Sequence, residues 1–415
     1  MKTFTREEKF KHLFSLPVIV AALGYFVDIY DLLLFGIVRI PSLNSMHLNP
    51  DEAGSLINNW QMFGLLLGGI LWGIIGDKKG RLSVLFGSIL VYSLANIACG
   101  FLPSVSFMDK TYAYAGLRFI AGIGLAGELG AGITLVSESL PKELRAIGTS
   151  LVAGFGLLGA VVANFTVKLS GDWTYAYIIG GGLGLCLLIL RIGVIESGIY
   201  KDIHQSKNIQ KGNFFSFFTN WNRFKKYMRC IGIGLPTWFC IGILAFFSDQ
   251  FGKALGIRQP VDPSQTIMWA YIGISAGDFF SGFLSHWLAS RKKAIVSMMI
   301  FTLIGVILLL FSGIKSVNSY YFYCVWLGIG TGYWAMFVTV GAEQFGTNIR
   351  STATTTIPNF VRGTVILMTL GFNFFKPTIG VIFTASIIGF IVFFIGIYST
   401  LTIEETHDKN LDFTE

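Results

Sequence analysis

The side chains in this sequence that could do chemistry are charges placed inside long apolar runs. Asp28 and Asp31 stand in the first such run, Arg118 in the fourth, Asp278 in the eighth and Arg362 in the eleventh. A charge within hydrocarbon costs about 2.5 to 3.5 kcal/mol on insertion scales, so each one indicates a functional site with a partner. The chemistry they favour is reversible binding of protons and charged solutes, not the breaking of covalent bonds.

The composition excludes a water-soluble protein. Of the 415 residues, 53% are hydrophobic and only 13% are charged, whereas a soluble domain carries about 25% charge. The five cysteines are odd in number and lie in apolar runs, so they predict neither a disulfide framework nor a metal site. No nucleotide-binding or nucleophile motif occurs, which predicts no enzyme and no cofactor. The 31 basic residues against 23 acidic ones form no basic face on a soluble module, so no nucleic acid partner is expected.

Hydropathy predicts twelve membrane-spanning helices, because a span needs about 20 apolar residues. Inside hydrocarbon the backbone must satisfy its own hydrogen bonds, so runs of this length predict an all-α bundle. The predicted spans, numbered 1 to 12 below, are 13–37, 53–76, 82–103, 113–138, 147–167, 174–195, 230–250, 266–289, 294–314, 320–343, 352–375 and 378–401.

The distribution of Lys and Arg predicts the orientation. The even-numbered connections and the two tails hold 21 of them, and the odd-numbered connections hold seven. Cations accumulate on the cytoplasmic side, so both termini are expected in the cytoplasm, with the protein in a bacterial inner membrane. The face with the even-numbered connections is called the inner face below, and the opposite face the outer face.

An internal repeat divides the chain into two halves. Glu138 and Arg145 after span 4 have the same spacing as Glu343 and Arg350 after span 10, with 205 residues between the copies and glycine-rich helices before both. Repeats of this kind predict two six-helix bundles related by a pseudo-twofold axis, with substrate bound between them. The expected division is 1–195, a cytoplasmic linker 196–229 and 230–415. The basic, Phe-rich linker is either a helix lying on the inner leaflet or a simple tether.

Depth brings three charges of the first half together. Asp31 and Arg118 both lie about six residues inside the outer ends of their helices, roughly 9 Å below the surface. Asp28 lies almost one turn deeper on the same side of span 1. An arginine that moves relative to two acids changes their affinity for protons, so this cluster predicts proton coupling. A static buried pair of Asp31 and Arg118 remains the alternative.

The second half has a charge pattern that suits a substrate. Arg362 lies near mid-depth, and its planar guanidinium can bind a carboxylate through two hydrogen bonds. Asp278 lies at a similar depth, so the alternative is a structural pair of these two residues. Asn359 stands one turn from Arg362, beside Pro358. The predicted substrate-binding residues are Arg362, Asn359, Asp278, Tyr30, Trp238 and Trp334.

Several motifs resemble those of a known family. Gly73-x-x-x-Asp77-x-x-Gly80-Arg81, between spans 2 and 3, resembles the signature loop of the major facilitator superfamily. Three finer motifs resemble the metabolite:proton symporter and sugar-porter branch: Gly24-x-x-x-Asp28-x-Tyr30-Asp31, the run from Arg118 to Glu128, and Glu196-Ser-Gly198. The Phe-rich chain with short loops also resembles bacterial intraphagosomal nutrient transporters, which import amino acids or nucleosides.

The resemblance implies roles for particular residues. In related symporters, the acid matching Asp31 and the arginine matching Arg118 carry the proton coupling. An inner-face ion network holds the outward-open state in this superfamily, which implies a cytoplasmic gate. The implied gate residues are Asp77, Arg81, Glu138 and Arg145, with Glu343 and Arg350 as their repeat counterparts. The competing explanation for the inner-face cations is the charge rule for membrane topology alone.

The sequence therefore predicts a secondary transporter. Its expected partners are the lipid bilayer, protons and a small polar solute such as an amino acid, a nucleoside or an organic acid, and a monomer is expected. Alternating access with proton symport is the favoured mechanism. The alternatives are a facilitator or a proton-driven antiporter, including drug efflux, on the same fold, uptake of a carboxylate siderophore, or a sensor that does not transport.

Overall fold

Long helices make up the computed structural model of this chain. It describes residues 6–79, 81–130, 132, 136, 140, 142–196, 214–346 and 349–407. Within these ranges no β-strand occurs. The uninterrupted spans are Leu16–Ser45 (span 1), Glu52–Lys79 (2), Arg81–Gly100 (3), Trp173–Glu196 (6), Pro263–Trp287 (8), Arg291–Phe311 (9), Arg350–Ile379 (11) and Val381–Thr402 (12).

Four spans are interrupted helices. Span 4 begins as Lys110–Leu125, and span 5 consists of Lys142–Leu157 and Gly159–Ser170. Span 7 consists of Trp221–Phe239, a π-helical segment Cys240–Ala245, and Ser248–Ala254. Span 10 consists of Val317–Thr331 and Trp334–Gln344.

The all-α membrane fold predicted from hydropathy is confirmed. Ten segments of the described chain are long and apolar enough to cross a bilayer. The other two predicted spans are the helix Lys110–Leu125, whose continuation lies partly outside the described residues, and the Thr-rich helix Arg350–Ile379. Span 7 begins at Trp221 instead of 230, because the basic residues of its first turns continue the helix beyond the apolar run that the prediction used.

Spans 4 and 10 break at equivalent places. Span 4 turns at Ala126–Gly127 and span 10 at Gly332–Tyr333, and the two glycines stand 205 residues apart. In span 10, Asp278 of span 8 stabilises the break, since its Oδ1 accepts a hydrogen bond from the backbone N–H of Ala335 at 3.0 Å. This carboxylate thereby caps the second helix of span 10, whose first residue is Trp334. Exposed backbone groups at membrane depth require partners of this kind.

Paired glycines allow close approach of helices within each half. At Gly68 of span 2, an added Cβ would overlap the backbone of Ile123 on span 4. At Gly273 of span 8, it would overlap the backbone of Val325 on span 10. The two glycines are again 205 residues apart, so the repeat extends to helix packing, which in membranes depends on small residues.

The last part of the predicted linker packs against the second half. Phe214 and Phe217 are buried, and Phe217 stacks on Tyr227 with ring centroids 4.6 Å apart. Phe214 also lies 5.9 Å from Phe360 of span 11. These contacts anchor the entry to span 7 beneath the helix bundle. The division of the chain at 195 and 230 stays a prediction.

A glutamate after span 12 caps the start of span 9. Glu405 accepts hydrogen bonds from the hydroxyl of Ser290 and from the backbone N–H groups of Arg291 (3.1 Å) and Lys292 (3.3 Å). Partial burial favours a raised pKa at Glu405, but these hydrogen bonds outweigh it, so its pKa lies below the ordinary value. The carboxylate therefore ties the end of the chain to the inner-face loop before span 9.

Replacing Glu405 with Gln is expected to lower the free energy of unfolding by about 1 kcal/mol near neutral pH, the usual contribution of a cap. Because the folded-state pKa is depressed, this stability is present above the unfolded value of about 4.3 and is lost as the pH falls through the folded value. Thermal unfolding in detergent at several pH values measures it, with Glu7→Gln at an exposed site as control. A difference that persists in strong acid would contradict the capping role.

Candidate functional site

A small cavity lies between the two halves. Its size is about that of one water molecule, so the halves must separate before a metabolite can enter. Side chains of both halves enclose it: Tyr25, Ile29, Leu157, Thr237, Trp238, Tyr271, Ile274, Trp334 and Arg362. Leu157 and Arg362 stand 205 residues apart, so they occupy equivalent positions of the repeat. The first half therefore contributes an apolar side chain to the cavity where the second half contributes a charged one.

Arg362 is the cation of this cavity. It is 1% exposed, and its guanidinium carbon lies 5.6 Å from the ring centre of Trp238 and 5.8 Å from that of Trp334. Nη1 donates a hydrogen bond to Asn359 at 3.1 Å, while Nε has no acceptor among the described residues. The two indoles hold the guanidinium in place by cation–π contact, which leaves donors available to an anion.

Asn359 positions this arginine. Its Nδ2 donates to the backbone carbonyls of Ala126 at 2.9 Å and Thr355 at 2.8 Å, and its Oδ1 accepts from Arg362. The side chain thereby joins span 11 to the break of span 4 in the other half. Its polar atoms are occupied, so the structure favours a positioning role over the predicted direct contact with substrate.

Asp278 does not pair with Arg362. Its Oδ1 caps the second helix of span 10, and its buried Oδ2 has no hydrogen-bond partner in the described chain. The ion pairs between described residues include none that joins these two. The alternative predicted from the sequence, a structural ion pair between Asp278 and Arg362, is therefore absent. Asp278 instead fixes the break that places Trp334 beside Arg362.

Tyr30 is not among the residues that line this cavity. Its hydroxyl donates to the carbonyl of Ala176 on span 6 at 2.9 Å, inside the first half, and its contact with substrate stays a prediction. Tyr25, five residues earlier, faces the cavity instead. Both tyrosines lie on span 1, so hydropathy does not distinguish them. The side of the helix on which each residue lies determines that Tyr25 faces the other half and Tyr30 faces span 6.

Arg118 joins three neighbouring helices through hydrogen bonds. It donates to Gln61 of span 2 at 3.1 Å, to Asn96 of span 3 at 2.6 Å and to the backbone carbonyl of Asp31 at 3.0 Å. The predicted proximity of Arg118 and Asp31 is present, but the contact uses the main chain. The Asp31 carboxylate lies against Gly180 of span 6 and accepts no hydrogen bond from the described residues.

Asp28 lies apart from that cluster. Both of its carboxylate oxygens are buried without a hydrogen bond from the described chain. The hydrogen bonds of Arg118 go to Gln61, Asn96 and the main chain of Asp31, so none of them reaches Asp28. The grouping of Asp28 with Asp31 and Arg118 for proton coupling stays a prediction.

A further ion pair was not predicted from the sequence. Glu128, at the break of span 4, accepts a hydrogen bond from Arg191 of span 6 at 3.1 Å, and Arg191 also donates to the carbonyl of Leu85 at 3.3 Å. Both side chains are buried. Glu128 and Arg191 were each visible in the sequence as a charge inside an apolar run. Their opposite charges, at similar depth on two spans of the same half, are the signal that could have predicted the pair.

Polar contacts across the halves close the outer face. Arg39, which is 0% exposed, binds Asp249 at 2.5 Å and lies 3.6 Å from Asp51. Gln250 donates to Asp51 at 2.8 Å and accepts from Lys376 at 3.0 Å. Hydropathy did not predict this network, because the predicted span 1 ends at residue 37, before Arg39. The cations of the odd-numbered connections indicated only the topology.

The inner face is also closed. The Asp77 carboxylate accepts hydrogen bonds from the backbone N–H of Thr352 at 3.0 Å and from the Thr352 hydroxyl. Thr352 lies in the first turn of span 11, where the helix dipole favours a carboxylate. This contact joins span 2 of the first half to span 11 of the second, as a gate requires.

The other predicted gate residues are described to different extents. Glu343 forms an ion pair with Arg291 at 2.7 Å within the second half. Arg350 donates from Nε to the carbonyls of Ala342 and Phe345. Glu138 and the side chains of Arg81 and Arg145 lie outside the described residues. Arg291, in the inner-face loop before span 9, thus has a predicted gate residue as its partner.

The described residues close both faces around a cavity too small for a metabolite. No three of the His, Cys, Asp and Glu side chains in the described chain are close enough together to hold a metal ion. The arrangement offers the buried guanidinium of Arg362 with aromatic walls and a contact network on each face. It also includes the buried acids Asp28, Asp31 and Asp278, each with at least one oxygen that has no hydrogen-bond partner among the described residues.

Comparison with known proteins agrees with this architecture. The family model of the Major Facilitator Superfamily matches residues 21–362. The chain is similar to the niacin transporter NiaP of Acinetobacter baylyi, with 26% identity over 377 residues that cover 80% of each protein. It is also similar to the gentisate transporter of Corynebacterium glutamicum, with 23% identity covering 79% of this chain and 73% of that one.

The fold has a solved counterpart as well. The proton:xylose symporter XylE, bound to 6-bromo-6-deoxy-D-glucose, superposes with a TM-score of 0.72 at 16% identity, covering 97% of this chain and 98% of that one. This likeness concerns the fold. The chain therefore belongs to the Major Facilitator Superfamily and is a multi-pass membrane transporter for small molecules, not an enzyme, as its sequence predicted.

Proposed function

We propose that this protein imports a small aromatic carboxylate together with protons. The observation that carries the proposal is Arg362, a buried guanidinium between the halves. It has an indole on two sides and no acidic side chain of the described residues in contact. An isolated buried charge is costly, and a substrate carboxylate that binds it through two hydrogen bonds offsets that cost. The indoles offer flat apolar surface to an attached ring.

The relatives support this substrate class. The named substrates of two similar transporters, niacin and gentisate, are both aromatic carboxylic acids. Trp238, Trp334, Tyr25 and Tyr271 give this cavity aromatic walls, and Arg362 gives it one cation. A sugar or an uncharged nucleoside would leave that cation without a partner, so the chemistry of the cavity favours an acid among the solutes predicted from the sequence.

Alternating access follows from the two contact networks. Opening of the outer network around Arg39 admits the substrate to Arg362. Closure of that network, followed by separation of Asp77 from Thr352, releases the substrate on the inner face. Asp28 and Asp31 are the proton-carrying groups, because a buried carboxylate without hydrogen bonds is stabilised when it binds a proton. We further propose that the protein lies in a bacterial inner membrane as a monomer, with both termini in the cytoplasm.

The test is uptake of labelled nicotinate into proteoliposomes with an inside-alkaline pH gradient. With one proton per substrate, nicotinate should accumulate about tenfold for each pH unit of gradient, and a protonophore should abolish accumulation. Nicotinamide, which has the same ring without the carboxylate, is the control and should not accumulate. Equal flux with and without the gradient would indicate a facilitator, and uphill movement in the opposite direction an antiporter.

A further inference from the structure

Tyr25 brings a polar group of the first half to the cavity between the halves. The residue lies in span 1, is 2% exposed and lines the same cavity as Arg362 of the second half. Its hydroxyl has no hydrogen-bond partner among the described residues. Because the cavity is only about as large as one water molecule, Tyr25 and Arg362 border the same small space.

Span 5 holds the ring of Tyr25 in place. An added Cβ at Gly156 would overlap this ring, so a larger residue there would displace it. The first half lines the cavity with Tyr25, Ile29 and Leu157. Two of these side chains are purely apolar, so the Tyr25 hydroxyl is the polar side-chain group with which the described residues of the first half line the cavity.

The position of this hydroxyl at the cavity gives it a role in recognition. A buried tyrosine hydroxyl usually has a hydrogen-bond partner, and leaving it without one costs free energy. Tyr92 of span 3 also has a buried hydroxyl without a partner in the described chain, but it does not line the cavity. At Tyr25, a solute that enters the cavity either supplies the partner or leaves the hydroxyl unsatisfied.

We propose that Tyr25 selects aromatic acids whose ring carries a hydrogen-bonding group remote from the carboxylate, such as a pyridine nitrogen or a ring hydroxyl. The inference rests on the proposed function, since it requires the carboxylate on Arg362. The ring then extends along Trp238 and Trp334 towards the first half, where the Tyr25 hydroxyl donates to the ring nitrogen or oxygen. A polar group next to the carboxylate stays near Arg362 and does not reach Tyr25.

The second half also brings hydroxyls to the cavity, those of Thr237 and Tyr271. Both lie in the same half as Arg362, on spans 7 and 8. A ring group bound to either of them would leave the Tyr25 hydroxyl unsatisfied, and the solute would contact polar groups of one half alone. A solute held by Arg362 and Tyr25 instead joins the two halves, which favours the closed carrier.

The experiment compares nicotinate, picolinate and benzoate binding to the purified full-length protein by calorimetry near neutral pH. Nicotinate and picolinate are isomers, with the ring nitrogen remote from the carboxylate in the first and next to it in the second, and benzoate has no ring nitrogen. In the wild type, nicotinate should bind about 3-fold to 10-fold more tightly than the other two, as one net hydrogen bond provides. Tyr25→Phe should bring the three Kd values together, mainly by weakening nicotinate binding.

Tyr92→Phe is the matched control, since it removes a buried hydroxyl of the same kind away from the cavity, and it should keep the wild-type preference. The preference is a ratio of Kd values, so a partly folded preparation still reports it. Equal binding of nicotinate and picolinate by the wild type overturns the inference but leaves the substrate class intact. A preference that survives Tyr25→Phe, or is lost instead in Thr237→Val or Tyr271→Phe, also overturns it. Absence of any carboxylate binding overturns both proposals.

Discussion

Replacing Arg362 with Ala is expected to abolish detectable binding and uptake of carboxylates. Truncating one partner of a buried, hydrogen-bonded charge pair costs about 2 to 5 kcal/mol, which corresponds to a loss of affinity from about 30-fold to several thousand-fold. Arg362→Lys should be intermediate, because an ammonium keeps the charge but loses the planar stack between Trp238 and Trp334. Nicotinate binding by calorimetry and uptake into proteoliposomes measure both effects.

Leu157→Ala is the matched control, since Leu157 is the repeat equivalent of Arg362 and lines the same cavity from the other half. It removes a side chain of the cavity without removing charge, so binding should weaken only a few-fold. Carboxylate binding that survives Arg362→Ala would refute the anchor.

Replacing Asp249 with Asn is expected to open the outer face. The substitution removes the anion that is in closest contact with Arg39, and the Arg39 side chain is fully buried. Breaking a buried pair from one side costs about 3 to 5 kcal/mol. Arg39 keeps two carbonyl acceptors, Pro50 and Phe246, so about 1 to 3 kcal/mol is expected here. This corresponds to a shift of about 5-fold to 150-fold towards the outward-open state.

Labelling of a cysteine introduced at the cavity measures this shift. Ile29→Cys, in a background without the five native cysteines, should react faster with an impermeant maleimide added at the outer face when Asp249→Asn is present. Asp77→Asn is the matched variant on the inner face. It should instead raise reactivity from the inner face, because it weakens the contact with Thr352 that joins the halves there. If both variants open the same face, the assignment of the two networks as opposing gates is wrong.

The sequence predicted the fold because the bilayer leaves few alternatives. Apolar run length determined the membrane-spanning helices, and the repeat of Glu138 to Arg145 in Glu343 to Arg350 predicted two related halves. Hydropathy could not find the start of span 7 at Trp221, because the basic first turns of that helix are not apolar. It also could not find the breaks of spans 4 and 10, which depend on partners such as Asp278 from another helix.

In the candidate site, too, the sequence predicted some features and could not predict others. Arg362, Trp238 and Trp334 were each visible as unusual side chains in apolar runs, and they do meet at the cavity. The sequence could not show that Tyr25 faces the cavity while Tyr30 faces span 6. One residue along a helix rotates a side chain by about 100°, so the face presented to the other half depends on how the helices are seated against each other.

The sequence by itself determined that this chain crosses a membrane many times and that it places charges inside the spans. Both conclusions follow from the cost of burying polar groups in lipid, which applies to each residue locally. The repeated motifs determined that the chain is duplicated. Only the tertiary structure decided the partners. Arg118 binds the main chain of Asp31, Arg39 closes the outer face with Asp249, and Asp77 closes the inner face with Thr352. These pairings join residues up to 275 positions apart. They follow from the packing of the two bundles, which a local sequence pattern does not show.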